Sequence, residues 1–409
     1  MAPARPPVAP RLPMAFSRRR LLVGAAAGGG LLVAWALSPR RYPVPVPPAA
    51  GEAGFGAWLR IGRDGVVTVA VPQLEMGQGI TTLLPQVVAM ELGADWRMVA
   101  AEPQPVSEIF ANPPLARRWA QMWLPQAQRL GPPGLWLARR WAEHRHFSAT
   151  ADGLSLAAYE LPARRAAAAA RCLLQMAAAR QWGVDWQACE AAGGAIRHGA
   201  SKLGFGALAE AASRLALPRD VPLRAAPAQD PADPAAVAFP RLDLPAKLAG
   251  RYPFAGDIRL PGLLYAAIRH APVGAAARLA GHEGARAKGI AGFRQLVEGP
   301  DWLAAVADNG WAAEQALAAI APRFVVQAPA DSTRAEAALD HGLKAGTAQP
   351  VASAGDAAAH LGAHAFSQRY EVAAAFHAPL ETATATARLA SGPLGLRGAE
   401  VWVASQAPG

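Results

Sequence analysis

The sequence is poor in cysteine, in lysine and in charge generally. Only Cys172 and Cys189 occur in 409 residues. An iron–sulfur cluster needs about four cysteine ligands, or a cysteine/histidine mixture, so this chain alone holds none. Both cysteines lie in a helix-like, Ala-rich region. They read as buried free thiols, with a single disulfide as the alternative. Charged residues make up 17% of the chain. Lysine is limited to Lys202, Lys247, Lys288 and Lys344, so the formal charge of +10 is carried by scattered arginines. Scattered charge without a reading motif argues against a nucleic-acid partner. What is abundant is apolar, 52% of residues, enough for a sizeable core in two or three domains.

Residues 1–16 are rich in Pro and Arg and contain no acid. Ser17-Arg18-Arg19-Arg20-Leu21-Leu22 follows, then an Ala- and Gly-rich apolar run to Leu37, with Ala34-Trp35-Ala36 as a small-x-small cleavage site. Paired arginines before a mildly hydrophobic stretch mark a twin-arginine export signal. The competing reading is an uncleaved membrane anchor. Its length is marginal for a bilayer, and Gly28, Gly29 and Gly30 weaken it further. The chain is therefore expected to be periplasmic or membrane-associated, with residues 1–38 as signal or anchor and 39–54 as an extended, Pro-rich linker.

The first folded element is legible. Ala57–Ile61 alternates, Gly62–Gly65 turns, and Val66–Val71 continues, which predicts a β-hairpin. Pro72-Gln73-Leu74-Glu75-Met76-Gly77-Gln78-Gly79 then leads to a helix capped by Thr81 and ending at Leu92-Gly93. Pro85 falls within its first turns. A glycine loop between a strand and a helix N-terminus offers backbone N–H groups and a favourable dipole to an anion. Equally, it can be a tight connection with no ligand.

Gln73–Gly79 resembles the Glu-Met-Gly-Gln-Gly segment of molybdenum hydroxylase large subunits, the xanthine dehydrogenase and aldehyde oxidase family. In that family the loop contacts the pterin cofactor. By this resemblance Met76, Gly77, Gln78 and Gly79 are cofactor-binding residues.

Further along, Arg117-Arg118-Trp119 through Arg139-Arg140-Trp141 reads as an amphipathic helix pair broken at Gly131–Gly134. Stacking on single-stranded nucleic acid is the less favoured alternative. Ser148, Thr150 and Ser155 precede a long Ala/Arg helix, about 157–180. By local chemistry they cap it. By the family resemblance they lie beside the cofactor, although only part of the family's Gly/Ser run is present. Another helix is expected over 207–215. Residues 216–240, rich in Pro, Ala and Asp, read as a linker.

A second unit, 241–345, opens as strand, turn, strand with Leu242–Lys247 and Gly256–Ala266. Its Pro-Ala-Lys and Asp-x-x-x-Pro-Gly-x-Leu-Tyr-Ala segments resemble the start of the family's smaller α/β, hammerhead-like domain. Tyr370–Val372 is expected to begin a strand, and Val401–Gln406 to form the last one. His377-Ala378-Pro379-Leu380-Glu381 and Val401-Trp402-Val403-x-Ser405-Gln406 resemble the start of the main molybdenum-binding domain, placed at 365–409. By that match Glu381 faces the substrate pocket, where an acid can hydrogen-bond a heterocycle. By local chemistry it is a surface residue. His360 and His364, four apart, have ligand spacing but no third partner, and read as structural or exposed.

The expected fold class is α+β, with incomplete mixed α/β domains of the aldehyde oxidase/xanthine dehydrogenase molybdopterin-binding type. Residues 55–215 form a permuted molybdopterin-binding segment, because the glycine loop precedes the Pro-Ala-Lys unit. That order resembles the isoquinoline 1-oxidoreductase beta-subunit branch. The resemblance implies molybdopterin with molybdenum, in a dinucleotide form, and a separate [2Fe-2S] subunit with a cytochrome beyond it. It further implies oxidation of a small N-heteroaromatic or aldehyde substrate with water-derived oxygen. A Gly-Gly-Gly-Phe-Gly stretch and a C-terminal general-base Glu are expected beyond Gly409. The chain is accordingly expected to be C-terminally truncated and inactive alone. The alternative is a non-catalytic exported protein that binds a cofactor or partner.

Overall fold

The structure is a computed structural model. It describes residues 42–123, 131–225, 239–346, 355–360, 366, 368–373, 375, 378–391 and 397–407. The export signal, His364 and His377 lie outside the described residues. Among the described residues no helix is long and apolar enough to cross a membrane.

The first unit begins with a four-stranded sheet. β1 (Glu52–Phe55), β2 (Leu59–Gly62) and β3 (Val67–Val71) form an antiparallel meander. The expected hairpin is therefore present. Its turn is closed by the Val66 N–H donating to Asp64 Oδ1 at 3.0 Å, with Gly65 at φ 87°. β3 leads through the glycine loop into α1 (Ile80–Leu92), and β4 (Val99–Pro103) returns parallel to β3. A parallel return needs a crossover, and α1 is that crossover.

Thr81 is not the helix cap. Gly79 holds that position at φ 84°, and Thr81 falls inside the first turn. The reason is local: φ at Gly79 is in the left-handed region, which a β-branched residue adopts only with strain. Gly93 ends the helix at φ 82°, as expected. α2 (Pro113–Trp123) and α3 (Gly131–His144) form the expected helix pair, and Gly131–Gly134 opens the second helix rather than merely breaking the two.

α4 (Ser155–Trp182) runs 28 residues and ends at Gly183 in the left-handed region. Its buried face is largely alanine, Ala163, Ala167, Ala170 and Ala178 among them, which lets α1 pack closely against it. A three-stranded meander follows: β5 (Glu190–Ala192), β6 (Ala195–His198) and β7 (Ser201–Gly204). α5 (Phe205–Ser213) then completes the core. Cys172 and Cys189 are free and buried, and burial raises both thiols above their ordinary pKa.

The start of the linker is docked. Glu91 on α1, 2% exposed, pairs with Arg164 and Arg171 of α4 at 3.2 and 2.9 Å. Its carboxylate also accepts the Arg224 N–H at 3.0 Å, while Arg171 donates to the Pro222 carbonyl at 2.7 Å. Backbone donors and side-chain cations thus converge on one buried acid, and this fixes 222–224 against the core.

The second unit departs from expectation at its start. Leu244–Leu248 is a short helix, α6, not a strand. Asp243 precedes it, Pro245 occupies its first turn, and Lys247 reaches back four residues to Asp243 at 2.7 Å. Those are helix-initiating features that a strand reading overlooks. β8 (Tyr265–His270), β10 (Phe293–Glu298) and β11 (Trp302–Ala307) form one sheet, in the order β10-β11-β8. β9 (Gly274–Gly281) pairs with β12 (Arg323–Pro329). α7 (Gly310–Ile320) packs its Ala312, Ala313 and Ala316 face on the three-stranded sheet. α8 (Ser332–Ala345) follows, capped by Asp331, and buries none of its residues. α9 (Ala357–His360) is one turn long.

Residues 368–373 carry no strand, so the expected start at Tyr370 is not formed; Tyr370 and Val372 are 85% and 96% exposed, with no partner strand among the described residues. β13 (Ala385–Ser391) and β14 (Arg397–Val403) make the final hairpin. Helices and several small sheets together give the mixed α+β class that was expected.

Candidate functional site

The loop from Pro72 to Gly79 is organised by its own side chains. The Glu75 carboxylate turns back into the helix N-terminus. Its Oε1 accepts the N–H groups of Gly77 and Gly79 at 2.8 and 2.9 Å. Its Oε2 accepts the Thr81 N–H at 3.0 Å and the Thr81 hydroxyl at 2.8 Å. Burial pushes this carboxyl up, but the hydrogen bonds from Gly79, Thr81 and Gly77 outweigh it and hold the pKa below the ordinary value. Gln78 makes a second internal closure. Its Oε1 accepts the Met76 N–H at 2.7 Å, and its Nε2 donates to the Leu74 carbonyl at 2.7 Å. The helix N-terminus is therefore an anion site, as the spacing suggested, and the anion it holds is Glu75.

Beneath the loop lies a buried polar floor. Gln73, 7% exposed, donates from Nε2 to the Ser148 carbonyl at 2.6 Å. Its Oε1 accepts the Ser155 hydroxyl at 3.0 Å. The Leu74 N–H donates to Thr150 Oγ1 at 3.1 Å. Tyr159 stands next to Gln73, at 3.3 Å, and donates its hydroxyl to the Phe110 carbonyl at 2.8 Å. Desolvation drives the Tyr159 pKa far up, so the phenol stays protonated. The Thr150 N–H donates to the Gln406 carbonyl at 2.7 Å, which brings the end of the β14 segment to the same place.

The sequence-derived residues thus gather at one site, in two tiers. Met76, Gly77 and Gln78 form the exposed tip, with Met76 44% exposed and Gly79 half-buried behind them. Ser148, Thr150 and Ser155 are buried underneath, 3%, 4% and 6% exposed, and their polar groups support the loop. Glu381 stands apart from the tip. Its Oε1 accepts the Ala255 N–H at 2.6 Å, which ties the 378–384 segment to the start of the second unit.

A charged seam connects loop and second unit. Arg241 reaches Glu75 Oε1 at 3.5 Å and grips Asp243 with two bonds of 3.0 and 2.8 Å. Lys247 binds Asp243 at 2.7 Å and lies over the Tyr252 ring at 4.7 Å. The Arg241 bonds lower the Asp243 pKa to about 2; burial opposes them, and Lys247 adds to the lowering. The Leu242 N–H donates to Thr82 Oγ1 at 3.0 Å. Burial pushes the Tyr252 hydroxyl above its ordinary pKa, against the nearby Lys247 charge.

Sequence reasoning passed over Gln73, Glu75 and Arg241 as working residues. Glu75 carried a local signal: an acid two residues before a left-handed glycine, and four before the helix cap Gly79, complements the N-terminal dipole. Gln73 carried none, because Ser148 is 75 residues away, and Arg241 showed only its neighbour Asp243, since its contact with Glu75 spans 166 residues.

A pterin cofactor offers a heterocycle edge rich in donors and acceptors, and a phosphate. The exposed tip fits the edge. Gly77 sits at φ 100° with open space where a Cβ would stand, so a planar group can approach the backbone. The helix N-terminus does not offer a second site for phosphate while Glu75 occupies its donors. Among the described residues no group of three or more His, Cys, Asp or Glu could hold a bare metal ion. A molybdenum held by dithiolene sulfurs requires none.

Residues 14–110 match the family model of the molybdopterin cofactor-binding domain. The loop and its flanking strand and helix fall inside that match. The chain is 27% identical over 315 residues to isoquinoline 1-oxidoreductase subunit beta of Brevundimonas diminuta, covering 67% of this chain and 37% of that one. It is 25% identical over 324 residues to the membrane-bound aldehyde dehydrogenase [pyrroloquinoline-quinone] of Gluconacetobacter polyoxogenes, covering 75% of this chain and 37% of that one. Each alignment spans a little over a third of the relative's length.

Proposed function

We propose that the chain is a molybdopterin-binding protein of xanthine dehydrogenase type, and the cofactor-binding part of an exported oxidoreductase. The substrates are N-heteroaromatic compounds or aldehydes, and the oxygen comes from water. The observation that carries this reading is the preset tip at Met76–Gly79, held from below by Gln73, Ser148, Thr150 and Ser155. A molybdopterin in dinucleotide form would supply the two-electron redox centre. Met76, Gly77, Gln78 and Gly79 would hold it. The floor keeps these residues in one geometry through the bonds of Gln73 to Ser148 and Ser155 and of Thr150 to the Leu74 N–H. Glu381, bonded to the Ala255 N–H at the start of the second unit, would act on the substrate side.

Electrons leave through a partner. Two buried cysteines cannot ligate a cluster, so a separate [2Fe-2S] subunit takes the electrons and passes them to a cytochrome. The paired arginines at Arg18 and Arg19 support export in the folded, cofactor-loaded state.

One observation favours a second reading, a binding protein without turnover. Glu75, the carboxylate of the loop itself, is committed to four donors and held below its ordinary pKa, which unfits it as a general base. Expression of the whole chain in a host that makes the molybdenum cofactor separates the readings. Molybdenum and pterin in near-stoichiometric amount, lost in a Gly77→Ala variant, supports cofactor binding at this loop. Pyrroloquinoline quinone in place of molybdenum refutes it. Cofactor without turnover of an aldehyde or N-heterocycle favours the binding protein.

A further inference from the structure

The α2–α3 helix pair is covered by nothing among the described residues on its outer side. It exposes Met122, Leu137 and Trp141, between 48% and 51% each, while Leu135 lines the cleft between the two helices. Interleaved with these are the exposed Arg117 and Arg145, and Arg118, Arg139 and Arg140, which pair with Asp152 and Glu143. The two helices contain a single acid, Glu143, and it is buried under Arg139 and Arg140 at 2.8 and 3.2 Å. Apolar and aromatic side chains flanked by arginine, with the acid turned inward, make the pattern of a helix that lies in a membrane interface.

The placement of the N-terminus is the second, independent observation. Tyr42, the first described residue, donates its hydroxyl to Glu143 Oε2 at 2.9 Å. The apolar run Leu21–Leu37 ends only five residues earlier. The Tyr42 contact thus fixes the start of the described chain beside α3, five residues along the sequence from that run. Trp119 and Trp141 also flank Phe147, at 5.3 and 5.1 Å, which stiffens the exposed edge.

We propose that the α2–α3 face is a docking surface for an anionic lipid bilayer, with the arginines on lipid phosphates and Leu137 and Trp141 at the headgroup–acyl boundary. It stands apart from the cofactor reading, because lipid binding at this face requires no cofactor. The test is co-sedimentation of the full chain with vesicles of phosphatidylcholine alone and of phosphatidylcholine with phosphatidylglycerol. Each arginine near an anionic surface contributes about fivefold to partitioning. An Arg117→Glu/Arg145→Glu variant should partition onto the anionic vesicles at least about 25-fold more weakly. On phosphatidylcholine alone it should match the parent chain. Arg334→Glu on α8, far along the sequence and equally exposed, should change neither. Leu137→Ser should weaken binding to both vesicle types. Hydrogen exchange should slow in 113–123 and 131–144 on anionic vesicles. Unaltered anionic-vesicle binding by the charge-reversed chain overturns the proposal. So does exchange protection confined to other segments, or protection of these helices by a soluble partner but not by vesicles. Melting temperatures matching the parent's confirm that the variants are folded.

Discussion

Glu75→Gln is the sharpest probe of how the loop is built. The native side chain is 3% exposed and receives two loop donors on each carboxylate oxygen, with Arg241 a further, longer contact on Oε1 at 3.5 Å. An amide presents one oxygen and one NH2. Whichever way it turns, a pair of donors, either Gly77 and Gly79 or the two of Thr81, meets another donor. A buried donor left unpaired costs about 1–3 kcal/mol, and the loss of the anion at the helix N-terminus adds about 0.3–1 kcal/mol. The exposed tip admits water to part of the site, so the net loss is about 2 kcal/mol. For a unit of this size that lowers the melting temperature by roughly 4–8 °C. The pH dependence has a definite sign. The folded pKa of Glu75 lies below its ordinary value of 4.5. Its stabilisation is therefore complete above that value and is lost as pH falls through the folded pKa. Melts of parent and variant should differ most near neutrality and converge in acid. A gap that stays constant between pH 7 and pH 3 would refute the carboxylate's role as internal anion. Amide exchange gives the residue-level check: Gly77, Gly79 and Thr81 should exchange faster in the variant.

Three further outcomes follow from the same geometry. Gly77→Ala meets no steric obstacle but places a Cβ at φ 100°, so it should cost about 1–2 kcal/mol locally. Cofactor content should then fall while the melting of the core changes little, and full retention of cofactor would remove Gly77 from the site. Gln73→Leu leaves the Ser148 carbonyl and Ser155 hydroxyl without their buried partner, a loss of about 2–4 kcal/mol seen in denaturant titration. A near-neutral result would mean the floor is wetter than its burial implies. Glu91→Gln strips the charge that pairs Arg164 and Arg171, and should destabilise by about 3–5 kcal/mol. It should also release 222–224, visible as new proteolytic cleavage there; an intact segment would sink that account.

The fold was legible wherever local chemistry decides it. The β2–β3 hairpin follows from alternation and an Asp64/Gly65 turn, and the end of α1 follows from Gly93. The helix pair, the long alanine helix and the β14 strand were equally visible as periodic runs. Legibility failed where a non-local or competing local interaction prevails. Leu242–Lys247 alternates like a strand, but Asp243, Pro245 and Lys247 together initiate a helix, and Arg241 binds the same aspartate. Tyr370–Val372 has strand-forming residues and, among the described residues, no strand to pair with. The composition of 216–240 suggests a free linker, yet Arg224 supplies a backbone donor to a buried acid on α1.

The site repeats that division at finer scale. The glycine loop announces itself because left-handed backbone restricts residue choice, and the restriction is written at the position it affects. Gly77 and Gly79 both prove to be left-handed, at φ 100° and 84°. What the glycines serve is written elsewhere. They let the chain curl tightly enough for Glu75 to reach the helix N-terminus, so the first beneficiary of the exposed N–H groups is a residue of the loop itself. A ligand at this loop therefore meets a surface that is already electrostatically closed. Recognition must then rest on the shape of the tip and on the Gln78 amide, which can exchange its bonds to Met76 and Leu74 for bonds to a heterocycle edge at little net change in hydrogen bonding. An anionic tail, by contrast, has to find its partners among donors other than the four that Glu75 already holds.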